Sequence, residues 1–343
     1  MMTNTNFQIP EPVRKTSRTL TAAGFENYLV GGCVRDLMIG KMPKDWDIAT
    51  RATPEEIIAL FPKTFYENDY GTVGVVDEGE QDESLKVVEV TPYRTESSYS
   101  DFRRPDEVKW ADKIEEDLAR RDFTVNAIAL DAEGEKMVDP FDGAKDIEKK
   151  LIRAVGKPEE RFKEDALRML RALRLSAELG FAIEHETQGA IEKNAELLSH
   201  ISKERIKDEF VKIIMSDSPA IAIEIAARLD LLKFVTPELE KGIGVEQNKA
   251  HAFHVWEHLL RSLTHAAEKK FPLHVRLAAL FHDVAKPHTR VWKNDQWTFY
   301  GHEVVGARIV KQTLTDLKFP KDTIEKVTKL VRWHMFFSET ETI

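Results

Sequence analysis

The stretch Tyr28–Ala49, YLVGGCVRDLMIGKMPKDWDIA, decides how the rest of the chain is read. It predicts a short apolar strand over Tyr28–Val30, a Gly31-Gly32 turn, a helix from about Val34, and a second strand over Asp45–Ala49. Strand side chains repeat with period two, so Asp45 and Asp47 are expected to project from the backbone together. Two carboxylates held that close repel each other unless a cation sits between them. Glycines let backbone approach a ligand where a Cβ would clash, and the N-terminus of the following helix favours phosphate. In this order, the glycine turn and the acid pair predict Mg²⁺ together with a polyphosphate. Either piece alone also fits an ordinary turn or a surface Asp-x-Asp.

Outward from that stretch, the chain of 343 residues has room for two or three domains. A hydrophobic content of 42% with 32% charged residues describes a globular chain rich in amphipathic helix. The net charge of -9 argues against an indiscriminate nucleic-acid coat, although a local basic stripe can bind phosphate in an acidic chain. One cysteine, Cys33, rules out an internal disulfide framework and suits a reducing compartment. No apolar run approaches the roughly 20 residues of a membrane span, and MMTNTNFQIPEP lacks a signal-peptide core, so a cytoplasmic location with no membrane partner is expected.

To about Pro140 the chain mixes helix and strand. Pro12–Ala23 predicts an opening helix ended by Gly24. Thr53 as N-cap, Pro54 at the first helical position and Glu55-Glu56 behind it start another, which should end before Pro62. Thr72–Val76 and Leu85–Thr91 read as a hairpin. Pro92–Trp110, PYRTESSYSDFRRPDEVKW, shows no period and reads as a long loop carrying Arg94, Arg103 and Arg104. From about Ala144 the pattern turns helical: Glu160–Leu179 with Gly180 as its stop, then Ile191–Leu198, Lys203–Met215 and Ala220–Phe234. A histidine-dense helical region follows to the end.

Four groups of residues carry chemistry. Glu89 sits in the apolar strand Val87–Val90, where a carboxylate is costly unless paired or metal-bound. It is a candidate third acid beside Asp45 and Asp47; a salt bridge to Arg94 or Arg121 is the alternative. In EEDLARRDFTVNAIAL, Glu115 to Leu130, Arg120 and Arg121 can balance phosphate charge while Asp122 and Asn126 offer partners to ribose hydroxyls; they also fit a charged helix surface. Asp165 and Arg168 are three apart on the predicted helix and so share a face. Cytosine and adenine present an amine beside a ring-nitrogen acceptor, the order that a carboxylate and a guanidinium match, and guanine and uracil present the reverse. An ordinary helix salt bridge is the alternative. Finally, His251, His254 and His258 fall on one helix face, and His282-Asp283 follows on a second helix with Lys286 three residues on. That is a transition-metal pattern, to which His302 can add a ligand; core and surface histidines without metal are the alternative.

GGCVRDLMIGK…DWDIA, EEDLARRDFTVNAIAL, DPFDG and ERFKEDALRMLRALR, in this order, resemble the class II tRNA nucleotidyltransferases, which include CCA-adding enzymes and bacterial poly(A) polymerases. The resemblance runs from about Phe25 to Phe234. It implies an α+β fold: a nucleotidyltransferase head with a mixed β-sheet and flanking helices, followed by an all-α neck and an HD-like helical domain. The corresponding segments are 1–143, 144–245 and 246–343. It also implies triphosphate binding at Gly31, Gly32 and Arg35, and catalytic metal at Asp45 and Asp47, with Glu89 the third acid. Ribose and phosphate contacts fall on Arg121, Asp122 and Asn126, and the protein template for the base on Glu164, Asp165 and Arg168. The C-terminal part resembles the HD phosphohydrolase module, which puts His258, His282 and Asp283 in a metal site with His302, and His254 as an alternate; its concluding Asp is not evident before Ile343. The activity implied is addition of CCA to the tRNA 3′ end from CTP and ATP, with Mg²⁺ in the head and a divalent transition metal in the HD-like domain. Retention of the Pro92–Trp110 segment favours full CCA or A addition over CC addition. The alternatives are an A-adding enzyme, a poly(A) polymerase, or a metal phosphohydrolase.

Overall fold

The computed structural model describes residues 7–66, 71–97, 107–247 and 253–335. The chain divides into two compact units, residues 1–165 with 182–187, and residues 166–181 with 188–343.

In the first unit, α1 (Glu11–Ala22) leads into β1 (Asn27–Val30), α2 (Gly32–Met38), β2 (Asp47–Thr50) and α3 (Pro54–Leu60). Next come β3 (Thr64–Tyr66), β4 (Val73–Val76), β5 (Val87–Pro92), β6 (Arg94–Ser97), β7 (Glu107–Trp110) and α4 (Ile114–Ala119). A single 3₁₀ turn, Thr124–Asn126, precedes β8 (Ala129–Leu130), β9 (Met137–Val138), α5 (Gly143–Lys149), β10 (Leu151–Ile152) and α6 (Pro158–Glu164). Seven strands form one mixed sheet in the order β3-β4-β5-β2-β1-β8-β9. Within this sheet only β2 and β5 pair in parallel; their neighbours run antiparallel. One apolar cluster gathers Tyr28 and Val30 of β1, Ala49 of β2 and Ala129 of β8 with Ile114 and Leu118 of α4.

This topology positions a site. β1 ends beside the start of β2, since Leu29 pairs with Ile48, and beside the start of β8, since Val30 pairs with Ala129. The Gly31 turn, Asp47 and the 3₁₀ turn are therefore brought together at one end of the central strands, by segments that are distant in sequence.

In the second unit α7 (Leu167–Leu179) packs on α9 (Lys203–Met215) and α10 (Pro219–Arg228). Between α7 and α9 in sequence, β11 (Ala182–Ile183) belongs to the first unit, where it pairs with β10, and α8 (His185–Asn194) follows it. Short helices α11 (Leu232–Val235) and α12 (Pro237–Glu240) lead to α13 (Val255–Glu268), α14 (Leu273–Phe281) and α15 (Lys286–Thr289). After β12 (Val291–Lys293) and β13 (Gln296–Thr298), the last elements among the described residues are α16 (His302–Asp316) and α17 (Lys321–Trp333). Among the described residues, no helix is long and apolar enough to cross a membrane.

Several expectations need correction. Asp45 lies in a bend ahead of β2, exposed, so only Asp47 is on the strand ladder. Proline at 43 and the polar run around it delay the start of pairing. α2 begins at Gly32, two residues before the expected start. The predicted helix Glu160–Leu179 is two helices, broken at Asp165, whose backbone is extended (φ -140, ψ 105). Asp165 and Arg168 therefore do not share a helix face. Aspartate is a poor helix interior residue because its short side chain competes for nearby backbone N–H groups. The expected loop Pro92–Trp110 contains the paired strands β6 and β7; Arg103 and Arg104 lie outside the described residues. Ala220–Phe234 is also two helices, α10 and α11. The C-terminal region includes the hairpin β12–β13, turning at Asn294-Asp295 with both residues at positive φ.

Candidate active site

Gly31 has φ +76 and ψ -135, a backbone region open to glycine. A Cβ there would lie 3.0 Å from Arg121 Nη1 and 3.6 Å from Asp47 Oδ2. The turn, the guanidinium and the carboxylate therefore share one small space. Across the parallel pair β2–β5, Asp47 is in register with Glu89. Trp46, next to Asp47, is 1% exposed and buries its ring while both flanking acids stay out of the core. Among the described residues, Asp45, Asp47 and Glu89 do not form a group whose ligand atoms all lie within 4.8 Å. Cys33 is no nucleophile: burial, helped by the Asp47 charge, pushes its thiol up to about 12.

A second set of contacts ties α2 to the 3₁₀ turn. Arg35 donates from Nη1 to Asn126 Oδ1 at 2.7 Å and from Nε and Nη2 to Asp36 Oδ1 at 2.9 and 2.7 Å. Asn126 Nδ2 donates to Asp122 Oδ1 at 3.3 Å, and the Phe123 N–H donates to the same oxygen at 2.9 Å. The turn is clamped from behind by Asp146, which accepts from Thr124 Oγ1 at 2.6 Å and from Arg153 Nε at 2.9 Å. A Cβ on Gly143 would lie 2.1 Å from the Thr124 carbonyl oxygen, so α5 approaches this turn only because residue 143 is glycine. Sequence reasoning passed over Asp146 and Arg153, although DPFDG marks the segment.

Of the base-reading candidates, Glu164 closes α6 and pairs with Arg161 at 3.2 Å, and Asp165 is half-buried in the break. Arg168 belongs to the first turn of α7 in the second unit and is buried.

The second unit gathers the histidines around Asp283, which is 2% exposed. His258 Nε2 is 2.9 Å from His282 Nε2 and 3.4 Å from Asp283 Oδ2. His302 Nε2 and His334 Nε2 lie 3.2 and 3.5 Å from Asp283 Oδ1. Three rings are oriented from behind, with Nδ1 of His282, His302 and His334 at 2.9, 2.7 and 2.7 Å from the carbonyls of Ala279, Phe299 and Val331. A carbonyl fixes Nδ1 as the donor and turns Nε2 inward, the arrangement that metal-ligating histidines use. Lys286 Nζ, also buried, sits 2.7 Å from Asp283 Oδ2. Burial alone would raise the Asp283 carboxyl, but the His282, His302 and His334 rings gathered against it outweigh burial and hold the group far below the usual range. Two sets offer three ligand atoms within 4.8 Å: His258, His282 and Asp283, and Asp283, His302 and His334. His334 was missed as a ligand although it stands in RWHM. His254 is the exposed N-cap of α13 and belongs to neither set, and His251 lies outside the described residues.

A mixed-sheet head with an Asp/Gly/Arg corner, joined to a helical unit with a His-Asp cluster, defines a class, the nucleotidyltransferases of the poly(A) polymerase type. Residues 27–153 match the family described as "Poly A polymerase head domain", 180–243 the "Probable RNA and SrmB- binding site of polymerase A", and 250–342 the "HD domain". The chain belongs to the CCA-adding enzyme family. It is 33% identical to the Bacillus stearothermophilus CCA-adding enzyme, solved in complex with CTP, with a TM-score of 0.63 over 97% of this chain and 83% of that one. It is 44% identical over 278 residues to the CCA-adding enzyme of Lactobacillus johnsonii, covering 81% of this chain and 66% of the relative. It is 43% identical over 277 residues to that of Geobacillus thermodenitrificans, covering 80% and 64%. The chain thus spans less than two thirds of the length of these curated relatives.

Proposed function

We propose that this chain adds the 3′-terminal CCA to tRNA from CTP and ATP by metal-assisted nucleotidyl transfer, with no nucleic-acid template. The observation that carries the reading is the meeting of Asp47, Gly31 and Arg121: an acid, a turn without a Cβ and a guanidinium within a few ångström of one point. Kinship with CCA-adding enzymes supports it.

In the proposed step the tRNA 3′-oxygen attacks the α-phosphorus, the bond to the α–β bridging oxygen breaks, and pyrophosphate leaves with that electron pair. Glu89, in register with Asp47, is the candidate to receive the hydroxyl proton. Like charges on neighbouring strands are destabilising, so an Asp47/Glu89 pair fits a cation, and Asp45 and Asp47 are the residues proposed to hold Mg²⁺. When bound, Mg²⁺ supplies Lewis-acid charge that favours the ionised hydroxyl and the leaving pyrophosphate. Gly31, Gly32, Arg35 and Arg121 cradle the triphosphate, and Asp122 and Asn126 meet the ribose. Glu164, Asp165 and Arg168 are assigned the base edge. Functionally, residues 1–143 act as head, 144–245 as neck and 246–343 as the HD-like part, in the cytoplasm, where the lone buried Cys33 stays reduced.

Asp47→Asn keeps the shape and removes the charge. CTP transfer should fall by roughly a thousandfold, since the metal supplies several kcal/mol at about 1.4 kcal/mol per factor of ten, with an unchanged melting temperature. Turnover near the parent rate in that variant would remove the assignment.

A second reading rests on the inward-turned Nε2 atoms around Asp283. His258, His282, Asp283, His302 and His334 are a donor set suited to a divalent transition metal, and with it to phosphate-ester hydrolysis.

A further inference from the structure

Asp117 has no role in the reading above, yet it is one of the most buried carboxylates in the first unit, at 1% exposure. It projects from α4, whose Ile114 and Leu118 are locked into the cluster that holds Tyr28, Val30 and Ala49. Its Oδ1 accepts from Arg120 Nε at 2.9 Å and Nη2 at 2.8 Å, and its Oδ2 accepts from Arg121 Nη2 at 2.9 Å. The other terminal nitrogen of Arg121, Nη1, faces the Gly31 turn at 3.0 Å from the Cβ position. One guanidinium thus spans from a core-anchored acid to the turn beside Asp47.

We propose that Asp117 is a positioning residue that fixes the Arg121 guanidinium at the Gly31 turn, oriented for the phosphates of the incoming nucleotide before it binds. The inference rests on the nucleotide-binding reading above. A free arginine side chain carries about 2 kcal/mol of rotamer entropy, and ordering it in advance removes that cost from binding. The planar fork matters, because a point charge on a flexible stem cannot hold an acid with one nitrogen and address a phosphate with another. Burying a carboxylate costs several kcal/mol unless donors surround it. Here burial pushes the Asp117 carboxyl up, while Arg121 and Arg120 outweigh it and hold the group below the usual range.

Calorimetric titration with CTP, CDP and CMP tests this. The parent chain should bind CTP more tightly than CMP. Asp117→Asn should weaken CTP roughly tenfold, the loss of one charge-assisted hydrogen bond, and CMP by less than about twofold. On an Arg121→Gln background the same change should have no further effect, because Asp117 acts through that guanidinium. Arg121→Lys keeps the charge but not the fork, so it too should lose CTP affinity and spare CMP; it decides the matter if Asp117→Asn does not fold. Equal losses for CMP and CTP, an undiminished effect in Arg121→Gln, or parent-like CTP binding by Arg121→Lys would overturn the inference. A parent chain that does not bind CTP would overturn the nucleotide-binding reading instead.

Discussion

At the scale of single residues, the difference between Asp47 and Asp45 is instructive. Both flank the buried Trp46, but only Asp47 is on the ladder and opposite Glu89. Period two in a short segment gives alternation without saying where pairing begins, so the acid pair was legible and its unequal setting was not. Arg121 and Asn126 could be named from their chemistry. Their partners could not, because Arg35 and Asn126 are 91 residues apart and meet through strand order. Asp117 reads in sequence as one more charge on an acidic helix, and only its burial separates it from Glu115 and Glu116. The base edge gives a residue-scale prediction. Asp165→Asn replaces an acceptor-only carboxylate with a group that also donates, so under the proposed assignment it can meet the carbonyl of uracil in place of the amine of cytosine. Incorporation of UTP relative to CTP should rise roughly tenfold, about what one good base contact contributes, as read by competition on a tRNA lacking its terminal nucleotides. An unchanged ratio would remove Asp165 from the base edge.

At the scale of elements, local signals did well wherever local chemistry fixes the backbone. The Thr53 capping box forms as expected, with the Thr53 side chain accepting from the Glu56 N–H and the Glu56 side chain accepting from the Thr53 N–H. Gly180 ends α7 at φ +69. The hairpin Val73–Val76 with Val87–Pro92 and the helix Lys203–Met215 also follow from the pattern. Two failures have different causes. The helical spacing of Leu167, Leu170, Ala172, Leu173 and Ala177 predicts one helix reaching back to Glu160, yet the helix breaks at Asp165, because apolar spacing reports which face is buried and not where the backbone is continuous. The hairpin β12–β13 was hidden because its turn uses Asn294-Asp295 rather than a glycine, and its three-residue strands are too short for alternation to register.

At the scale of the whole molecule, the α+β head followed by helices was legible from the change in period near Ala144 and from the linked motifs. The close assembly of the C-terminal histidines was less so. Spacing could pair His282 with Asp283, but His334 joins through the packing of α16 on α17 and of α17 on α14. That cluster should bind about one divalent transition ion per chain with ligands of this type. Elemental analysis of the purified chain checks it, and Asp283→Asn should lose the ion. Loading should weaken as pH falls through the imidazole range, since only the neutral ring ligates. Metal content unaffected by Asp283→Asn would refute the site. Transfer by the first unit is tested most directly on the full chain with a tRNA transcript ending just before CCA, supplied with CTP, with ATP, or with both, followed by sequencing of the products. Two cytidines and a stop are expected with CTP alone, and CCA and a stop with both. Repeated adenosine addition on unrelated RNA, or no addition to the transcript at all, would contradict the proposed CCA addition.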